Sequence, residues 1–250
     1  MSSNIRVSLE KPIMEITIER PEKKNALTSA MFAALARALT DAEMDPSIAV
    51  VVILGSHDTF TAGADLNDFL TTPPLDPEGP VPRFLRALST AEKVIIAGVS
   101  GPAVGIGTTM LLHCDLAVAG RSARFLLPFV DRALVPEAAS SLLLPRLIGH
   151  RLACEHLLLC EPFDADTALR YGLVNRVVND ADVAATAHDL ARRIAAKPAR
   201  AVRIAKRLLR GGSESVSDRI LEEYRYFAAQ LKSPEFAQAV ANFFAKAASR

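Results

Sequence analysis

The sequence predicts an α/β fold that ends in a purely helical region. Three features carry that expectation. Two β-branched apolar runs, Val50-Val-Val-Ile-Leu54 and Val94-Ile-Ile-Ala-Gly-Val99, each lead into small residues and glycine. A helix-like segment follows each turn, so strand, turn and helix alternate as in βαβ units. After Lys197-Pro198 no strand-like run remains. The 250 residues make one large domain, or one domain with an appendage. Such a chain buries roughly 70–75% of its unfolded surface and needs no covalent staples.

Taken in order, residues 5–9 and 14–19 alternate like two strands of a hairpin, with Lys11-Pro12 at the turn. Thr28 is placed to cap a helix whose apolar residues Met31, Phe32, Leu35 and Leu39 repeat at helical spacing. Residues 50–54 read as a buried strand. From Thr71 to Arg83, five prolines (Pro73, Pro74, Pro77, Pro80 and Pro82) argue against regular structure and for a loop. Strand, turn and helix are expected again at Ile95, at Leu116 and near Val174. Ala201, Ile204, Ala205, Leu208 and Leu209 mark an amphipathic helix that Gly211-Gly212 ends. Two more helices are expected at 216–231 and 234–248. They carry Phe227, Phe236, Phe243 and Phe244, a stripe that reads as core.

Composition narrows the function. A formal net charge of +1 argues against nucleic acid as the main partner. Cys114, Cys154 and Cys160 lack metal-ligand spacing, and no metal is expected. An odd cysteine count with no apolar targeting core at the N-terminus suggests reduced thiols and a cytoplasmic setting. No apolar run reaches the roughly 18–20 residues of a membrane span, and the final Ala-Ala-Ser-Arg is not a peroxisomal address.

The chemistry is expected at two turns, Phe60-Thr-Ala-Gly-Ala-Asp-Leu-Asn67 and Gly101-Pro-Ala-Val-Gly-Ile-Gly107. A strand that turns through glycine into a helix presents unpaired backbone N–H groups. Two such turns meeting at one point would form an oxyanion hole, which stabilises charge developing on a carbonyl oxygen.

Four segments in order resemble the enoyl-CoA hydratase/isomerase family, the crotonase superfamily. Arg20-Pro-Glu-Lys-Lys-Asn-Ala-Leu27 looks like its R-P-x-x-x-N-A-L segment, and FTAGADL like its F-S-A-G-A-D-L element. GPAVGIG with the later Cys114-Asp115 looks like its G-x-A-x-G-G-G…C-D element. Tyr171-Gly-Leu-Val-Asn175 resembles its G-L-V stretch. The resemblance implies a crotonase-like ββα spiral core over residues 1–195. It implies a helical region over 196–250 that makes oligomer contacts in a homotrimer or hexamer. It implies an acyl-CoA thioester substrate, with CoA as part of the substrate and no separate cofactor.

The resemblance also assigns residues. The hole donors carry over to the N–H groups of Ala64 and Ile106. The Ile106 assignment requires that this residue avoid positive φ. Ala62, Gly63, Leu66 and Gly105 fall along the CoA and pantetheine path. Lys24 and Ala26 fall toward the nucleotide end. Hydratases of the family activate water with two glutamates, and here those positions hold Thr109 and Phe129, neither of which can serve as a carboxylate base. Leu134-Val-Pro-Glu-Ala-Ala-Ser-Ser141 instead resembles the L-V-P-E-G-G-S-S segment of the 3-enoyl-CoA to 2-enoyl-CoA isomerases. The base of that subgroup falls on Glu137, with Phe129, Leu134 and Val135 as apolar lining.

Other readings stand beside these. Glu137 could cap a helix starting near Ala138, and Asp65 could cap its own. Asp131 is an alternative acid or base. His57 and Asp58 read as surface turn residues, and His113 as a packed histidine. Arg200, Arg203, Lys206, Arg207 and Arg210 read as a solvated helix face. A hydratase-like or hydrolase-type acyl-CoA enzyme, and a non-catalytic acyl-CoA-binding homologue, are the competing functions.

Overall fold

The computed structural model describes residues 4–211, 215–231, 233–236, 238 and 240. They form two compact units, Met1–Arg192 and Arg193–Arg250.

The first unit begins with β1 (Ile5–Glu10) and β2 (Ile13–Ile18), an antiparallel hairpin around Lys11-Pro12. Then follow α1 (Ser29–Met44), β3 (Val50–Gly55), α2 (Leu66–Thr71), α3 (Pro80–Thr90) and β4 (Val94–Val99). β5 (Pro102–Val104) and α4 (Ile106–Thr109) precede a 3-10 turn over Met110–His113. β6 (Leu116–Gly120), β7 (Arg124–Leu126), α5 (Ser140–Ile148), α6 (His150–Leu158), β8 (Phe163–Asp164) and α7 (Ala165–Tyr171) come next. β9 (Arg176–Val178) and α8 (Val183–Ala195) complete the series.

Strand order explains the spiral. The large sheet runs β1-β2-β3-β4-β6-β9, and every pairing after the first hairpin is parallel. The order never reverses, so there is no switch point of the Rossmann kind. Each turn of chain adds one strand to the same growing edge. β5 and β7 leave that path to form a second sheet with β8.

Burial follows the β-branched runs. β4 is buried at every position and β3 at all but Gly55, as expected for parallel strands covered on both faces. Phe32 on α1 packs against Phe84 on α3, with ring centroids 5.6 Å apart. Thr28 caps α1 by accepting from the Met31 N–H.

The proline-rich segment differs from expectation. Residues 72–79 lack regular structure, but Pro80 opens α3 and Pro82 lies in its first turn. There a missing N–H sacrifices no helical bond, and φ is already suitable.

The second unit contains α9 (Ala199–Arg210) and α10 (Val216–Leu231). Two expectations fail here. Phe227 is 62% exposed and Phe236 43% exposed, so the stripe is not a buried core among the described residues. Phe243 and Phe244 lie outside the described residues, as does most of the expected helix at 234–248. Lys206 is buried, unlike its arginine neighbours. Among the described residues, no helix is long and apolar enough to cross a membrane.

One buried cation secures the first unit. Lys93, 5% exposed, donates its ammonium hydrogens to the carbonyls of Ala42 and Asp45. Its backbone N–H donates to Glu43 Oε1 at 2.9 Å. These carbonyls end α1, where no intrahelical donor remains and positive charge is favoured. Lys93→Met should therefore lower unfolding stability by about 1–3 kcal/mol. A denaturant midpoint within error of the parent would show that water replaces the ammonium.

Candidate active site

The site begins with Asn25, which is fully buried. Its side-chain amide donates to the Thr59 carbonyl at 2.7 Å and reaches the Ser56 carbonyl at 3.2 Å. Its Oδ1 accepts from the Arg20 N–H at 2.8 Å. Thr61 Oγ1 donates to the Asn25 carbonyl at 2.7 Å and accepts from the Gly63 N–H. Polar groups that would otherwise be stranded in the core thus shape the first turn.

The two turns are joined edge to edge. Thr61 N–H donates to the Pro102 carbonyl at 3.0 Å, and Val104 N–H donates to the Thr61 carbonyl at 2.9 Å. Gly63 takes φ +89°, and a Cβ there would stand 2.7 Å from the Val104 carbonyl oxygen. Only glycine allows that approach.

Two N–H groups are left over by this arrangement. Gly63 C=O and Asp65 N–H both bond to Leu27 at 2.8 Å, which turns the Ala64 N–H to the opposite side of the chain. Gly105, at φ +56°, precedes Ile106, the first residue of α4. Ile106 does not take positive φ, so its side chain is accommodated. Neither N–H has an acceptor among the described residues.

Beside them lies a cavity of about 290 Å³. Ala62, Gly63, Ala64 and Leu66 line it from the first turn, and Gly105 and Ile106 from the second. Phe129 and Glu137 face them, with Phe32, Phe69 and Leu85 completing an apolar wall. Leu134 and Val135 also line it but are largely exposed, so they stand at its mouth.

Among the described residues, Glu137 alone brings a carboxylate to this cavity. Its Oε1 accepts from Thr109 Oγ1 at 2.5 Å. Burial lifts its carboxyl above the ordinary range, and the Thr109 hydrogen bond only partly offsets that. Asp131, the alternative, is exposed on the turn over Val130–Arg132 and does not line the cavity. Lys24 and Ala26 lie behind the turn. Lys24 C=O accepts from the Ala62 N–H, Ala26 C=O accepts from Arg20, and neither lines the cavity.

Glu137 does not cap a helix that starts at Ala138. Ala138 and Ala139 both take positive φ, +51° and +54°, and α5 starts only at Ser140. The Glu137 carbonyl accepts from the Ser140 N–H at 2.9 Å. Asp65 does cap α2, accepting from the N–H groups of Asn67 and Asp68. It also accepts from Arg20 at 2.7 Å, and that bond with the capping amides holds its carboxyl below the usual range.

Sequence reasoning missed three supports of the site. Asn25 shapes the first turn, Arg20 ties that turn through Asp65, and Thr109 holds Glu137. The segment Arg20-Pro-Glu-Lys-Lys-Asn25 was a signal for the first two.

Known proteins agree with this architecture. The family model for enoyl-CoA hydratase/isomerase matches residues 8–247. The 1,2-epoxyphenylacetyl-CoA isomerase of Escherichia coli K12 is 33% identical over 250 residues, covering 95% of this chain and 94% of that one. The 4-chlorobenzoyl coenzyme A dehalogenase-2 of an Arthrobacter species is 33% identical over 98% of this chain and 94% of its own. The solved structure of an enoyl-CoA hydratase/isomerase from Pseudoalteromonas atlantica T6c matches with a TM-score of 0.81 and 44% identity, covering 98% of each chain. A fold of this order, these turns and these relatives lead to one conclusion: the chain belongs to the enoyl-CoA hydratase/isomerase family and is an acyl-CoA enzyme with a crotonase-like fold.

Proposed function

We propose that this enzyme moves the double bond of a 3-enoyl-CoA to the 2-position by proton transfer through Glu137. The observation that carries the reading is that, among the described residues, a single carboxylate raised in pKa by burial lines a largely apolar cavity beside two N–H groups without acceptors. Hydration would need a second group to activate water, and the two hydratase positions hold Thr109 and Phe129.

In this mechanism the thioester carbonyl lies against the N–H groups of Ala64 and Ile106. The Glu137 carboxylate removes a proton from C2, and the electron pair spreads through C3 and C4 and onto the thioester oxygen. The two N–H donors stabilise that oxyanion. The carboxyl, now protonated, returns the proton at C4, and the double bond forms between C2 and C3. No water enters the product. A raised pKa suits both halves, since a group that is too acidic accepts poorly and one that is too basic returns poorly. Ala62, Gly63, Leu66 and Gly105 follow the thioester arm, and Lys24 and Ala26 lie toward the nucleotide. The apolar residues left open on α9 and α10 support self-association, as a homotrimer or a hexamer.

Glu137→Gln should lower isomerisation of 3-enoyl-CoA by roughly 10²–10⁴-fold. Acyl-CoA binding should persist, because shape is kept. Removing a desolvated carboxylate should also leave the melting temperature at neutral pH no lower than the parent's. A variant that keeps more than about a tenth of the rate would refute Glu137 as the base. Oxygen-18 from solvent appearing in the parent's product would favour the hydratase reading, and no turnover at all the non-catalytic one.

The pH profile tests the same carboxyl. The base must be ionised, so kcat/KM should fall as pH drops through the raised pKa. Thr109→Val removes a donor that favours the charged form, so it should move the acidic limb to higher pH. An unmoved limb would mean that a different group titrates.

The oxyanion hole is tested by Ala64→Pro, which deletes one N–H and leaves Glu137 untouched. Turnover should fall about 10²–10³-fold, with folding checked by thermal melting. A folded variant with parental turnover would make the first turn purely structural.

A further inference from the structure

We infer that His113 is a positioning residue for Glu137, acting through the backbone of the two alanines that follow it. This rests on Glu137 being the base. His113 Nε2 donates to the Ala138 carbonyl at 2.8 Å, which makes Nε2 the protonated nitrogen. Ala138 and Ala139 are consecutive residues at positive φ. An L-residue with a Cβ pays for that conformation, and it persists only where surrounding bonds over-determine it.

The surrounding bonds can be named. The Glu137 carbonyl accepts from Ser140, and the Ala139 carbonyl accepts from Leu142 and Leu143. Those contacts are local to the turn and the start of α5. The His113 bond joins the turn to another element 25 residues away.

His113 and Thr109 lie four residues apart on the run formed by α4 and its 3-10 extension. Thr109 holds the Glu137 carboxylate, and His113 holds the carbonyl of the next residue, Ala138. Both side chains reach the same short segment, Glu137–Ala138. One short element thus grips the Glu137 side chain and the backbone of the residue after it. The effect is on aim: a carboxylate displaced by about 1 Å from C2 loses rate by as much as 10²-fold.

The test uses His113→Leu, which removes the donor, and His113→Gln, whose side-chain amide can replace Nε2–H. In His113→Leu, kcat should fall about 10-fold to 100-fold while KM stays within about twofold. His113→Gln should recover most of the loss. Adding Ala138→Gly to His113→Leu should recover part of it, because glycine takes positive φ without strain. The amide of Ser140 should exchange hydrogen about tenfold faster in His113→Leu, with β3 and β4 amides unchanged.

Parental exchange at Ser140 in folded His113→Leu would overturn the positioning role, whatever the rates. So would equal loss in the Leu and Gln variants. If Glu137→Gln retained activity while the His113→Leu exchange effect held, the assignment of the base would fall. The backbone grip would then remain as a structural property, and the catalytic part of this inference would be overturned with the base.

Discussion

Two backbone hydrogen bonds, Thr61 N–H to Pro102 C=O and Val104 N–H to Thr61 C=O, hold the two turns of the site in register. The N–H groups of Ala64 and Ile106 belong to separate strand-to-helix turns about forty residues apart in sequence. Nothing local relates one to the other. The short bridge does so, and Gly63 lets the turns close to contact with the Val104 carbonyl. Asn25 then fills the interior of the first turn with donors and acceptors, so the buried carbonyls of Asn25 and Thr59 are paired while the Ala64 N–H stays open to the cavity. A pair of rigidly held dipoles need not reorganise as charge appears. The spiral matters to chemistry for this reason: β3 and β4 are parallel neighbours, so the turns that follow them leave from the same edge.

Against that fixed pair the protein sets a carboxylate in an apolar wall. The arrangement opposes stability, since burial disfavours the charged form of Glu137. The Thr109 hydroxyl offsets only part of this. A fully hydrogen-bonded or ion-paired glutamate would be more stable but a weaker proton acceptor. Arg20 and Asp65 show the contrast within the same turn region. There a carboxylate meets a guanidinium and two capping amides, its pKa falls, and it does structural work. Two acids near one site are driven in opposite directions by their surroundings.

Much of this was legible in the chain. The β-branched runs, the Thr28 cap, the Lys11-Pro12 hairpin and the two glycine turns are local signals, and each matches an element. Glu137 was found through the segment around it, and the fold brings it to the cavity that Ala64, Ile106 and Phe129 also line. What could not be read has a common cause. Alanine is a strong helix former, so Ala138-Ala139 looks like a helix start. The left-handed turn there is held by tertiary bonds, including one from His113. Pro80 and Pro82 look like breakers until the helix start falls on them. Lys93 and Lys206 look like surface charges, because sequence carries no sign of the carbonyls or packing that receive them.

The two alanines also bear on how the site stays aimed. Glycine at both positions would relieve the strain of positive φ, but it would widen the conformations open to the segment after Glu137. Alanine narrows that freedom in the unfolded chain and in any loosened native state. The cost is a backbone that must be held from outside. The run from Ile106 to His113 supplies that hold, and the same run starts with the Ile106 N–H of the candidate hole. The Ile106 N–H, the Thr109 hydroxyl on Glu137 and the imidazole on the turn behind it are therefore set by a single short element. A rigid shift of that element would carry all three together, which favours a constant separation between the Glu137 carboxylate and the Ile106 N–H. The proposed transfer of one proton from C2 to C4 would depend on the carboxylate and the candidate oxyanion site keeping their separation.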